Sequence, residues 1–395
     1  MSQHKDVVIV SAVRTPIGDF GGALRDVSAL QLGTTVVEEA LRRAGGVEKE
    51  QVEEIIFGNC GQRSDEPNIA RCIALEAGFP VETTGFTIQR QCSSAMQSIA
   101  SAYQEIVLGD TEIVIAGGVE SMSSAPYVLK NARWGQRLQH GEMTDALWEM
   151  LMDPVHKIMM GETAERLADK YSISREEQDE VAARSHTNAL AAIDEGRFAE
   201  EIVPVTVRSR KGETVVDTDE HPRRDISRES LAKLKPVFRK EGTVTAGNAS
   251  GLNDGASAVV VMSAQRAEEL GLNPLARIVS YAWAGVEPDL MGYGPVPATH
   301  RALEKAGMTI DQIELVELNE AFAAQYLACE KLLGLNREVV NVNGSGIGLG
   351  HPVGSTGARI VVTLLHEMAR RNNRLGLATL CVGGGMGMSM ILERF

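Results

Sequence analysis

The chain has 395 residues, 44% of them hydrophobic and 23% charged, and a formal charge of −14. That composition describes a soluble globular protein with room for two or three domain-sized cores. The acidic balance argues against nucleic acid as a partner, and no apolar run reaches the length of a membrane span, so a membrane is not expected as one either.

The opening Met-Ser-Gln-His-Lys-Asp runs straight into the strand-like 7–10, and no signal or transit peptide reads there. The closing Glu-Arg-Phe is no peroxisomal address. Five cysteines, Cys60, Cys72, Cys92, Cys329 and Cys381, form neither a disulfide framework nor a zinc pattern. A reducing cytoplasm is the expected location, with no metal and with every thiol available for chemistry.

In chain order the first half reads as a strand at 6–11, a helix ending at Gly45 and a strand at 51–56. Residues 276–280, a helix ending at Gly307, and 312–316 repeat that series. An apolar strand entering Gly117-Gly118 is echoed by one entering Gly383-Gly384. Four matched features in one order indicate a duplicated α/β unit. Between the halves, about 122–248, lies a segment with two tryptophans, several methionines and expected helices at 165–170 and 175–194. Residues 208–240 hold ten Lys/Arg against six Asp/Glu, either a solvated face or a site for a phosphorylated ligand, with Arg223-Arg224 as its best candidate.

Cys92 precedes a helix-like stretch in which Met96, Ile99, Tyr103 and Ile106 follow a 3,4,3 spacing. A helix N-terminus presents free N–H groups that favour thiolate over thiol, so a reactive sulfur is expected there; a buried structural cysteine is the competing account. The helix ends repeat at an offset of 262 residues, and that offset carries Cys92 to position 354, beside His351 in a glycine-rich loop. A thiol in one half is therefore expected to face a histidine in the other. His351 is the histidine most suited to function, whereas His366 reads as a partly buried helix residue. Cys381 closes an apolar strand and is followed by three glycines, whose N–H groups suit an oxyanion site; an ordinary core thiol is the alternative. Asn319 ends the expected strand 315–318, where α/β sites form, or it caps the next helix.

Taken together, Cys92-Ser93-Ser94, Gly118-Val119-Glu120-Ser121-Met122, the run Gly247 to Ala256, Asn319-Glu320-Ala321-Phe322, Gly350-His351-Pro352 and Cys381 to Gly387 resemble the thiolase family. The resemblance covers about 5–393. It implies an α/β thiolase fold whose duplicated halves form a layered α-β-α-β-α core. The N-terminal half would comprise 1–121 and 249–272, an inserted loop domain 122–248, and the C-terminal half 273–395. It further implies a CoA-dependent acyltransferase, an acetyl-CoA C-acyltransferase of the acetyl-CoA C-acetyltransferase type, that makes or cleaves 3-ketoacyl-CoA with ping-pong kinetics.

In that family pattern Cys92 would be the acylated nucleophile, His351 its proton acceptor and Cys381 the acid–base for the acetyl methyl. Asn319 would hold a water in one oxyanion hole, and the N–H groups of Cys92 and Gly383 would form the other. Arg223 and Ser250 match positions that contact coenzyme A, and Met160, Met291 and Phe322 match the acyl pocket. Coenzyme A and acyl-CoA enter as substrates, with no permanently bound cofactor, and a homodimer or a homotetramer built as a dimer of dimers is expected. Ser93, Gly344-Ser345-Gly346 and Met159 depart from the acetyl-specific pattern, which leaves room for a longer, branched or aromatic acyl group. A decarboxylating ketoacyl synthase of related fold would have no use for Cys381. A non-catalytic scaffold would need none of the four residues Cys92, His351, Cys381 and Asn319.

Overall fold

The computed structural model describes residues 6–210 and 212–395. Nine strands build its main sheet: β1 (Val7–Arg14), β2 (Glu54–Gly58), β3 (Thr84–Ile88), β4 (Ile113–Ser121), β5 (Asn253–Ser263), β6 (Ala276–Gly285), β7 (Leu315–Leu318), β8 (Leu375–Val382) and β9 (Met386–Glu393). A tenth, two-residue strand, Gly18–Asp19, adds to β5. The helices that position the site are α1 (Ala29–Ala44), α2 (Ile69–Glu76), α3 (Ser94–Leu108), α4 (Met160–Tyr171), α5 (Arg175–Asp194), α6 (Pro295–Ala306), α7 (Ala323–Leu333) and α8 (Val353–Arg371).

The strand order is β7-β8-β9-β6-β1-β5-β4-β2-β3. Outward from the centre, each half runs through two antiparallel pairings and then a parallel one: β1-β5-β4-β2 on one side, β6-β9-β8-β7 on the other. The duplication read in the sequence is therefore a duplication of topology, and the halves join where Val8 and Ile9 pair with Arg277 and Ala276. Strands such as β1, β4, β5 and β8 are buried along their whole length. That follows from helices covering both sheet faces, and it is why these strands read as continuous apolar runs.

Local signals set the helix ends. Ser28 and Gln31 form a reciprocal capping box at the start of α1, and Gly45 and Gly307 terminate α1 and α6 with positive φ. Three cores give the layers. The first packs α1 and α2 on one outer face, the second encloses α3 and α8 between the halves, and the third packs α4, α6 and α7 on the other outer face. Helix α8 is buried around its whole circumference from Val353 to Leu365, as a central helix must be. Truncating a core residue such as Leu364 to alanine would cost about 2–5 kcal/mol.

The two central helices meet at their N-termini, and small residues permit it. A Cβ on Gly357 would stand 2.5 Å from Met96 N, and one on Gly118 would stand 2.2 Å from Gly354 O. The segment 122–248 is tied to β1 by Arg14, which is fully buried and bonds Glu201 at 2.6 Å and Asp219 at 2.7 and 2.9 Å. Removing one member would leave an uncompensated buried charge, a loss of about 3–5 kcal/mol.

Candidate active site

The turn before α3 presents Cys92. Ser94 Oγ donates to Gln91 O at 2.6 Å and accepts from Arg90 N at 2.9 Å, while Ser93 Oγ donates to Arg90 O at 3.0 Å. These bonds hold Gln91 at φ +44, a conformation that L-residues resist. The two serines after the nucleophile therefore close the turn that exposes the sulfur.

His351 comes from the other half. Its Nδ1 lies 2.7 Å from Thr356 Oγ1, and that hydroxyl donates its one proton to Pro352 O at 2.9 Å. Thr356 must therefore accept from Nδ1–H, which fixes the tautomer and leaves the Nε2 lone pair free. Nε2 lies 3.5 Å from Asn319 Nδ2. Asn319 does not cap α7, whose N-cap position belongs to Phe322. Its amide is buried beside His351, and its Oδ1 has no hydrogen-bond partner.

Glu120 clamps the loop after β2 to the start of α8. Its carboxylate accepts from Cys60 N at 3.1 Å, Gly61 N at 2.9 Å, Asn59 Nδ2 at 3.1 Å and, from the other half, Gly354 N at 2.8 Å. On the far side of His351, Asn253 Oδ1 accepts the His351 N–H at 2.8 Å. Glu120 and Asn253 stand within motifs of the family pattern, where residue type and spacing reveal no role for them. Their buried, multiply bonded geometry supplies one.

The electrostatics correct one expectation. Burial pushes the Cys92 thiol up to about 11, against the lowering effect of the N–H groups of Gly383 and of Cys92 itself. Burial, helped by the charge of Arg359, holds His351 down at about 3. Desolvation outweighs the helix terminus, so the resting pair is a neutral thiol and a neutral imidazole rather than thiolate and imidazolium. Cys381 is fully buried, and burial, together with the nearby sulfurs of Cys92 and Cys329, raises its thiol well above the usual range. The hairpin after it bends through Gly384 and Gly385, both at positive φ, which turns the Gly383 N–H toward the Cys92 sulfur.

A cavity of about 790 Å³ opens onto this group. Cys92, His351, Gly383 and Ser250 line it together with Met160, Met291 and Phe322, so those expected residues converge. Cys381 and Asn319 stand behind its wall rather than on it. A smaller cavity containing Met159, Ser250 and His351 adjoins it and shares Ala249 and Gly251 with a third, of about 340 Å³, lined by His186, His221 and Arg223. Arg224 is not in that cavity and pairs with Asp194 at the surface.

Fold and site together define a duplicated α/β protein whose Cys92 thiol and His351 imidazole, one from each half, line a single cavity. The family model described as "Thiolase, N-terminal domain" matches residues 7–265, and "Thiolase, C-terminal domain" matches 272–394. An acetyl-CoA acetyltransferase of Syntrophomonas wolfei is 52% identical, over 98% of this chain and 99% of its own. The crystal structure of the Bacillus anthracis acetyl-CoA acetyltransferase superposes with a TM-score of 0.98 at 60% identity, covering 99% of each chain. Human mitochondrial 3-ketoacyl-CoA thiolase in complex with CoA does so with a TM-score of 0.96 at 44% identity, covering 100% of this chain and 99% of its own. The chain belongs to the thiolase family.

Proposed function

We propose that the chain is a CoA-dependent acyltransferase that makes or cleaves 3-ketoacyl-CoA through an acyl-Cys92 intermediate. One observation carries this reading: the Cys92 thiol and an imidazole whose Nε2 is unprotonated line one deep cavity, with the buried Cys381 thiol behind its wall. In the cleavage direction, Cys92 Sγ attacks the 3-keto carbon as His351 Nε2 takes its proton. With both groups neutral at rest, proton transfer and attack proceed together, since a free thiolate–imidazolium pair is strongly disfavoured in this site. The N–H groups of Cys92 and Gly383 stabilise the resulting oxyanion. Its collapse breaks the carbon–carbon bond, and Cys381 protonates the departing acetyl-CoA enolate. The imidazolium proton of His351 then returns to the Cys381 thiolate as acetyl-CoA leaves. Coenzyme A attacks acyl-Cys92 with neutral His351 accepting its thiol proton, and His351 passes that proton to the Cys92 sulfur as it departs. Asn319 serves the enolate oxygen together with His351, through a water held by its amide.

Arg223 and Ser250 are read as coenzyme A contacts; the support is that the cavity at His351 and the cavity at Arg223 share Ala249 and Gly251 as wall residues. The main cavity also carries Met150, Met152 and Met386 beside Met160 and Met291. The acetyl-CoA C-acetyltransferase type is the first reading, supported by relatives of that name; the adaptable side chains keep a longer, branched or aromatic acyl group as the alternative.

The three-part division at 122–248 belongs to the same reading and is supported by the sheet order. Self-association as a dimer or a dimer of dimers is supported by the unpaired edge of β3 and by an arm exposing Tyr127, Trp134, Leu138 and Met143. No helix among the described residues is long and apolar enough to cross a membrane. Five free cysteines suit a reducing, cytoplasmic setting.

The test is thiolysis across a series of 3-ketoacyl-CoA chain lengths, with the acyl-enzyme trapped for mass spectrometry. An acyl adduct on Cys92 is expected; its absence with every substrate would sink the reading.

A further inference from the structure

The cavity at Arg223 and the His351 loop are joined by one strip of backbone, residues 249–253. Ala249 and Gly251 line the Arg223 cavity, and Ser250 faces the main one. Asn253, at the end of the strip, is fully buried and receives the His351 N–H on Oδ1 at 2.8 Å. The other end of the same amide donates to Gly18 O at 3.1 Å and to Asp19 Oδ1 at 3.2 Å. That Asp19 oxygen also accepts from His221 Nδ1, and the His221 ring lines the Arg223 cavity.

Packing is tight at the Gly251 and Gly350 ends of this route, while Asp19 between them is partly exposed. A Cβ on Gly251 would stand 2.4 Å from His221 Cε1 and 2.8 Å from Asn253 Oδ1, and one on Gly350 would stand 2.7 Å from Asn253 Cγ. The His221 ring, the Asp19 carboxylate, the Asn253 amide and the Gly350–His351 peptide are therefore in continuous contact. A shift of any one must be taken up by the next, because a close-packed interior does not deform smoothly.

We propose that His221, Asp19 and Asn253 are positioning residues that couple an anionic phosphate group bound in the Arg223 cavity to the placement of His351. An anion that orders the His221 ring also orders Asp19, whose single oxygen serves both His221 and Asn253. Asn253 then holds the His351 backbone where Nε2 can accept the Cys92 proton. Binding energy from the remote end of the substrate is in this way expressed as turnover rather than as affinity alone. The inference rests on the reading that the nucleotide end of coenzyme A enters this cavity.

The probe is adenosine 3′,5′-bisphosphate, the nucleotide end of coenzyme A without its thiol. On the full chain, its binding is followed by calorimetry, and the reactivity of Cys92 by its rate of alkylation with iodoacetamide. In the wild type the bisphosphate is expected to bind and to speed alkylation about threefold or more. In Asp19→Ala it should bind within about twofold of the wild type yet no longer accelerate alkylation, while Asp19→Asn, which keeps an oxygen acceptor, should restore the acceleration. Binding to the wild type without acceleration overturns the coupling alone. Equal acceleration in Asp19→Ala overturns it as well. No binding to the wild type overturns the cavity assignment and the coupling with it. The wild-type measurement decides the matter even where Asp19→Ala does not fold.

Discussion

Asn319 Nδ2 lies 3.5 Å from His351 Nε2, although the two residues end different elements, one a strand terminus and the other a glycine-rich loop. The contact puts an amide donor on the unprotonated imidazole nitrogen, Nε2. It also ties the expected general base to the C-terminal end of the β7–β8 pair, where the Asn319 N–H continues the ladder onto Thr379 O at 3.0 Å. The protonation state of that base, and of the thiol it serves, leads to the first two predictions.

Burial raises the Cys92 thiol to about 11, so thiolate is scarce at neutral pH and grows as pH rises toward that value. The rate of alkylation by iodoacetamide in the ligand-free protein should therefore climb about tenfold per pH unit between pH 7 and 9. A plateau reached below pH 8 would contradict the neutral resting pair.

His351 titrates near 3 in the folded chain and near its ordinary 6.5 when unfolded. A base whose folded pKa is depressed contributes stability above the unfolded value and loses it as pH falls toward the folded one. Moving from pH 7.5 to pH 5 should cost about 2 kcal/mol through His351 alone. Urea midpoints at the two pH values should consequently differ less in His351→Asn than in the wild type. Equal acid sensitivity in both proteins would count against the depressed histidine.

Cys381 stands behind the cavity wall, and its predicted work is on carbon rather than on the thioester. Cys381→Ser should slow condensation about 10²–10⁴-fold, the range of a lost general acid–base. Acylation of Cys92 by acetyl-CoA, measured as the mass of the trapped adduct against time, should fall by less than about tenfold. Equal losses in the two half-reactions would remove its separate role.

Gly118 lets the start of α8 approach β4. A Cβ there would stand 2.2 Å from Gly354 O and 2.5 Å from Ala95 Cβ. Gly118→Ala should destabilise the fold by about 1–3 kcal/mol, as overpacking does. It should also slow acylation, because Gly354 and Ala95 belong to the helix starts that carry His351 and Cys92. A variant as stable and as active as the wild type would show that the approach of the halves is not set at this point.

The sequence by itself determined the elements and their doubling. Apolar runs and helical spacing are local, so β1, β4, β8, α1 and α6 were readable, and the 262-residue offset already set Cys92 opposite the His351 loop. Residue types and motifs also named Cys92, His351 and the acyl-pocket side chains that line the cavity, and Cys381 behind its wall. Only the tertiary structure decided the charge states. A helix N-terminus argues for thiolate, but the desolvation that reverses it comes from packing between residues distant in the chain. It also chose between accounts that spacing left open: Asn319 faces His351 and caps nothing, and Arg223 lines a cavity while Arg224 sits in a surface ion pair. The roles of Glu120 and Asn253 arise from bonds across the junction of the halves, and such contacts leave no periodic trace in a sequence.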